Sequence, residues 1–169
     1  FFPTEVIKKC MTITKNLATS ESPPSLGWVL GDTYLGVDIA GQGSDQTVLL
    51  SMLKNNDQMS QIDMEITEKT YLTETTSRII NADKVYKYTK ILIDDGGMGF
   101  GVFSSLLANE QTRRKVVPLN NATRVTDSSE EKSKKILKEE MYNNLLVQME
   151  NSKINLFDDD EIFLSLKSV

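Results

Sequence analysis

The sequence contains no histidine, one cysteine and four prolines, and each shortage removes a class of chemistry or structure. Without histidine there is no imidazole base, no Ser-His-Asp triad and no histidine-ligated zinc within this chain. A lone Cys10 cannot form an internal disulfide, which suits a reducing compartment and leads us to expect a cytoplasmic, non-secreted protein. No apolar run approaches the roughly 20 residues that cross a bilayer, so no membrane contact is expected. "FFPTEVIKKC" also lacks the basic start and long apolar stretch of a secretion signal. The glycosylation-like "NAT" at 121–123 then reads as an ordinary loop. Chemistry has to come from carboxylates, lysines, hydroxyls or a hard metal ion.

What is present describes a folded domain. At 169 residues, 39% hydrophobic and 25% charged, the chain is long enough to bury a core. A net charge of −5 argues against a surface that attracts nucleic acid everywhere, yet local basic stripes remain. Arg113, Arg114 and Lys115 form one, and Lys132, Lys134, Lys135 and Lys138 another; taken alone, such runs are solvated faces. The chain begins without Met, so we expect a portion of something longer.

Residues 1–32 read as a linker, with a short helix after Pro3 and then "ATSESPPSLG", where two prolines oppose regular structure. From Thr33 onward, 33–169 reads as one domain. "TYLGVDIA", "TVLLSMLK" and "MSQIDMEIT" are β-rich runs, the last two joined by the hairpin-type "NNDQ". Leu72, Thr76, Ile79, Ala82 and Tyr86 then recur at helical spacing. "KILID" is a strand and "GFGVFSSLLANE" a helix with Val102, Phe103, Leu106 and Leu107 on one face. "KVVPL" is a further strand. Ser128 and Glu131 offer a capping box for a helix that carries Leu137, Met141, Leu145 and Met149. "KINLF" is extended, and "DDDEIFLSLKSV" opens a last helix whose acidic start suits the helix dipole. Three antiparallel strands followed by helix-linked parallel strands is the order of the ribonuclease H-like α/β fold.

Two aspartates stand out against this frame. Alternation puts Tyr34, Gly36 and Asp38 on one face of their strand and Leu35 and Val37 on the other. Asp94 likewise closes "KILID", with Ile91 and Ile93 on the opposite face. If the two strands are neighbours, two carboxylates meet at one edge, where they repel unless a cation bridges them. Oxygen ligands without His or Cys favour Mg²⁺ or Mn²⁺, and a pair of such ions suits phosphodiester cleavage. Asp45 could face the same place, and Asp95 would point oppositely to Asp94 if the strand persists. The glycines Gly96, Gly97 and Gly99 leave a phosphate cradle and a tight turn as competing readings. Similar loops in the actin-like and sugar-kinase superfamily make a nucleotide-binding domain one alternative; it is weakened because the glycines here lead into a helix.

"YLGVDIAGQGSDQTVLL", followed by "KILIDDGGMGFGVFSSLLANE", resembles the nuclease domain of the large terminase subunit of tailed bacteriophages and related viruses. "EEKSKKILKEEMYNNLLVQMENSKINLFDDDEIFLSL" resembles the next part of that domain. "FFPTEVIKKCM" is similar to the segment that joins the family's ATPase motor to its nuclease. The resemblance implies a metal-dependent endonuclease that cuts concatemeric double-stranded DNA during genome packaging in the host cytoplasm. By position, Asp38 and Asp94 match the catalytic metal ligands and Asp45 an acid kept near the metals, holding Mg²⁺ or Mn²⁺, two ions in all. Asp95, Gly96, Gly97 and Gly99 would line the loop beside them. Arg113–Lys115 and the Lys132–Lys135 stretch would contact DNA. Partners would be an ATPase motor domain, a portal and a small terminase subunit. No segment matches the family's late acidic motif, so the nuclease domain is expected to be incomplete at its C-terminal side. The alternative within this fold is a non-catalytic module that docks DNA or a portal.

Overall fold

The computed structural model describes residues 1–14, 31–40, 46–94, 97–119 and 137–169. They group into two compact units, 31–119 in one and 1–14 with 137–169 in the other. Asp45, Asp95, Gly96, Lys132, Lys134, Lys135 and the Ser128–Glu131 cap lie outside the described residues. No described helix is long and apolar enough to cross a membrane.

The larger unit is the expected α/β arrangement. β2 (Asp32–Asp38), β3 (Gln46–Asn55) and β4 (Gln58–Glu68) form an antiparallel meander. Its hairpin turns at Asn56, whose left-handed φ of 53° an asparagine tolerates well. Helix α2 (Leu72–Tyr86) leads to β5 (Lys90–Asp94), which pairs in parallel with β2; helix α3 (Gly99–Ala108) leads to β6 (Val116–Leu119), parallel to β5. Within this unit the strand order is β4-β3-β2-β5-β6, the ribonuclease H-like order expected from the sequence.

One face of that sheet supplies the core. Leu35, Val37, Leu49, Ile91 and Ile93 are buried against Ile79 of α2 and Val102 and Leu106 of α3. Their alternation with half-exposed neighbours is the period-two pattern legible in the sequence. The expected faces of both helices meet this core, Leu72, Ile79, Ala82 and Tyr86 from α2 and Val102, Phe103 and Leu106 from α3, with two departures. The buried stripe of α2 runs through Thr75, Ile79 and Asp83, which places an acid in the core boundary. On α3, Leu107 is half exposed because Val102 and Leu106 already fill the stripe that meets the sheet.

In the smaller unit, α1 (Thr4–Cys10) starts after Pro3, which stands at the N-cap with φ −62°. β1 (Met11–Ile13) pairs in parallel with β7 (Ile154–Phe157). Helices α4 (Leu137–Glu150) and α5 (Asp160–Lys167) complete it. Cys10 is buried beneath α4, where its thiol donates to the Met149 carbonyl at 3.6 Å; burial pushes its pKa up. The strand β1 has no signature in the sequence, since so short a stretch shows no alternation. On α4, Met149 is buried but Met141 is exposed. Steps of four residues advance about 40° beyond a full turn, so a strict four-residue ladder drifts off the buried face. The acidic stretch before α5 acts as a cap: Asp159 accepts from the Glu161 N–H at 2.8 Å.

Candidate active site

β2 and β5 lie side by side and in parallel, with Val37 opposite Ile93. One residue further along each strand stand Asp38 and Asp94, the last residues of their strands. Strands in a sheet are about 4.8 Å apart, so the two carboxylate-bearing residues are immediate neighbours. They share the face opposite the buried Val37 and Ile93, and both reach solvent: Asp38 is exposed and Asp94 partly so. Each is flanked on its other side by an apolar residue in register, Asp38 by Val48 of β3 and Asp94 by Leu119 of β6.

The backbone around the pair is pinned from two directions. After Asp38 the chain is tied back to β3 by the Ala40 N–H, which donates to Thr47 Oγ1 at 3.1 Å; Thr47 itself is buried. After Asp94 the first turn of α3 folds directly onto the strand end. A Cβ on Gly99 would stand 1.8 Å from the Asp94 carbonyl oxygen, so only glycine permits this approach. Gly97 has a different reason to be glycine: its φ is +55° with nothing crowding it. The glycine cluster thus seats a helix against the strand that carries Asp94. Sequence reasoning treats these glycines alike; their spacing ahead of the Val102/Leu106 stripe is the signal that Gly99, on the same helix face, meets the sheet.

The structure separates the basic stripe from this pair. Ile91 at the start of β5 is opposite Val116, and Asp94 at its end is opposite Leu119. Arg113 and Arg114 stand in the turn before Val116 and therefore lie beyond the far end of β6, whose three residue steps span about 10 Å at 3.3 Å per residue. Lys115 is half-buried and paired rather than a free solvated cation. Its ammonium sits 2.9 Å from both carboxylate oxygens of Asp83, whose side chain is 1% exposed. Among the described residues no group of three potential ligands surrounds a metal position; the pair is what the described strands provide.

A second polar cluster lies between β4 and α2. Tyr86 donates to Asp63 at 2.9 Å and stacks on Tyr88, which shares a 2.6 Å hydrogen bond with Ser51. Desolvation pushes both tyrosine pKa values up, with the Asp63 carboxylate adding to the effect at Tyr86. Arg78 bridges Glu74 and Glu65, and these bonds raise its pKa further. These groups secure α2 to the meander.

No family model and no curated protein sequence matches this chain. Solved structures do. The large terminase nuclease of thermophilic phage G20c with bound magnesium superposes with a TM-score of 0.68 at 16% identity, over 96% of this chain and 77% of that one. The same nuclease with bound zinc gives 0.62 at 19% identity, over 82% and 71%. The whole large terminase of another thermophilic bacteriophage, in complex with ATP-γ-S, gives 0.61 at 12% identity, covering 96% of this chain but only 36% of that protein. The fold of this chain is therefore that of large terminase nuclease domains.

Proposed function

We propose that this chain is the metal-dependent endonuclease domain of a large terminase, cutting concatemeric double-stranded DNA during genome packaging. The observation that carries the reading is the register of β2 and β5, which end side by side in Asp38 and Asp94. Strand-end carboxylates on neighbouring strands, in a fold shared with terminase nucleases, are poorly explained as two unrelated turn residues.

The donor set fits a hard divalent ion. Both groups offer carboxylate oxygen, the chain has no histidine, and its one cysteine is buried in the other unit. Mg²⁺ takes oxygen ligands, keeps several waters, and is commonly held by one or two carboxylates plus substrate phosphates. Asp38 and Asp94 would hold Mg²⁺ or Mn²⁺, two ions in this reading, with Asp45 assisting. Bound there, the ions would supply an activated water and neutralise charge on the leaving oxygen. The protein's own contribution is positional: the strands fix the spacing of the carboxylates, and Gly99 locks the backbone of Asp94 against α3. Gly97 and Gly99 would let the chain turn tightly beside the metals and the DNA backbone, with Asp95 and Gly96 as the neighbouring loop residues of this reading. In the whole protein an ATPase motor would precede this domain, with residues 1–32 as the connection, and a portal and small terminase subunit would be its partners.

The reading is tested by Mn²⁺-dependent plasmid cleavage. Asp38→Ala and Asp94→Ala are each expected to abolish cutting while the proteins remain folded. Full activity in both variants overturns it.

A further inference from the structure

The end of the sheet opposite the carboxylate pair collects most of the described cations of this unit. Helix α2 finishes there, with Lys84 in its last turn and Lys87 as its left-handed C-cap. β5 begins there with Lys90, and the turn between α3 and β6 adds Arg113 and Arg114. All of these side chains are exposed, and none is in an ion pair among the described residues; Lys84 only meets Asn81 Oδ1 at 3.4 Å.

A buried strut holds them on one surface. Asp83, next to Lys84, accepts from Lys115 at 2.9 Å and from Gln111 at 2.7 Å, and Gln111 also reaches the Ile80 carbonyl at 3.1 Å. The Ile91 N–H donates to the Lys115 carbonyl at 3.0 Å, which sets Lys90 beside the Arg113–Arg114 turn. The nearby acids are few. Glu110 is exposed in the same turn. Asp32 is opposite Lys54 in register and accepts from Thr89 at 3.1 Å.

We infer that Lys84, Lys87, Lys90, Arg113 and Arg114 form a second DNA surface, which grips the phosphate backbone of duplex DNA away from the cutting end. That the polyanion is DNA rests on the nuclease reading above; that the surface binds a polyanion rests on the charges themselves. A protein partner fits less well, because protein interfaces are depleted in lysine and centred on aromatic anchors. The exposed large apolar side chains at this end are Val85 and Leu107, whereas the exposed aromatics of the unit, Tyr71 and Phe100, stand at the opposite ends of the same helices. Long flexible cations with no aromatic centre suit a regular row of phosphates, read without regard to sequence. Because the two ends face opposite ways along the strands, a phosphate held here is not the one being cut.

The test is equilibrium binding of a 30-bp duplex probe to the full chain, followed by fluorescence anisotropy without divalent metal across a range of salt. The variant combines Lys87→Asn, which keeps a residue tolerant of positive φ, with Lys90→Ala, Arg113→Ala and Arg114→Ala. Affinity should fall at least about tenfold, and the slope of log K against log salt should flatten by about 0.9 for each phosphate no longer neutralised. Glu110→Lys, which adds a cation to the same rim, should tighten binding. Unchanged affinity and slope in both variants overturns the surface. So does a quadruple variant that keeps DNA binding and loses binding to poly-glutamate, which would assign the surface to an acidic protein. Binding is read without cleavage, so a chain that grips DNA here but never cuts it leaves this surface standing while the nuclease reading falls.

Discussion

At one end of β2 and β5 stand Asp38 and Asp94; at the other end of β5 and its neighbouring turns stand Lys87, Lys90, Arg113 and Arg114. The two ends are held by different devices. The carboxylate end is a backbone construction, in which parallel register sets the pair and one glycine lets a helix press against the strand. The cationic end is a side-chain construction, in which a buried ion pair ties α2 to the turn before β6. A register cannot be removed by one substitution, whereas a side-chain strut can. Each end is therefore expected to fail in its own way.

The largest expected effect on stability is at the strut. Lys115→Ala leaves Asp83 buried without its cation, a loss of about 3–5 kcal/mol for broken buried pairs. Chemical denaturation should show it, and a change under about 1 kcal/mol would mean that the pair holds nothing together. Restoring a neutral partnership with Lys115→Met in an Asp83→Asn background should recover much of the loss. Next comes Gly99→Ala, whose new methyl overlaps the Asp94 carbonyl. Overpacking of this kind costs about 1–3 kcal/mol or more, and here it should also lower cleavage, because the strand end has to move. A fully stable, fully active Gly99→Ala protein would contradict the packing described for α3.

The smallest effect is a pH dependence from the two tyrosines where α2 gives way to β5. Tyr86 and Tyr88 have raised pKa values in the fold against an ordinary 10.0. Below pH 10 both folded and unfolded chains keep these phenols neutral, and the stability they contribute is intact. Above that, the unfolded chain ionises first, so stability should fall as pH rises through and beyond 10, with Tyr88→Phe softening the fall. A melting temperature that stays flat from about pH 9 to 11 would contradict the burial of these phenols.

The same contrast explains what can be read in advance. Alternation in "YLGVDIA" and "KILID" is a backbone property, so the faces and the strand ends are legible; that Asp38 and Asp94 meet depends on the strands being neighbours, which the parallel register of β2 and β5 supplies. The strut is not. Asp83 looks like a solvated helical acid, and only its position four residues after the buried Ile79 marks it as belonging to the inner stripe. Lys115 groups with Arg113 and Arg114 because it is adjacent to them in sequence, yet its partner lies 32 residues away. Lys84, Lys87 and Lys90 are hidden for the converse reason, since no run joins them and only the fold gathers them. Spacing alone puts Met141 and Leu107 on inner faces, and packing turns both outward.

The central claim is that Asp38 and Asp94 act as one cation site, and calorimetric titration with Mn²⁺ in the absence of DNA tests it most directly. Saturable binding by the unaltered chain is the predicted result. Asp38→Asn and Asp94→Asn should each weaken it by at least about tenfold, as expected when a ligand to the metal is lost. The double variant should lose little beyond the weaker single one, because both carboxylates serve the same site. Equal Mn²⁺ affinity in the unaltered chain and both single variants would contradict it.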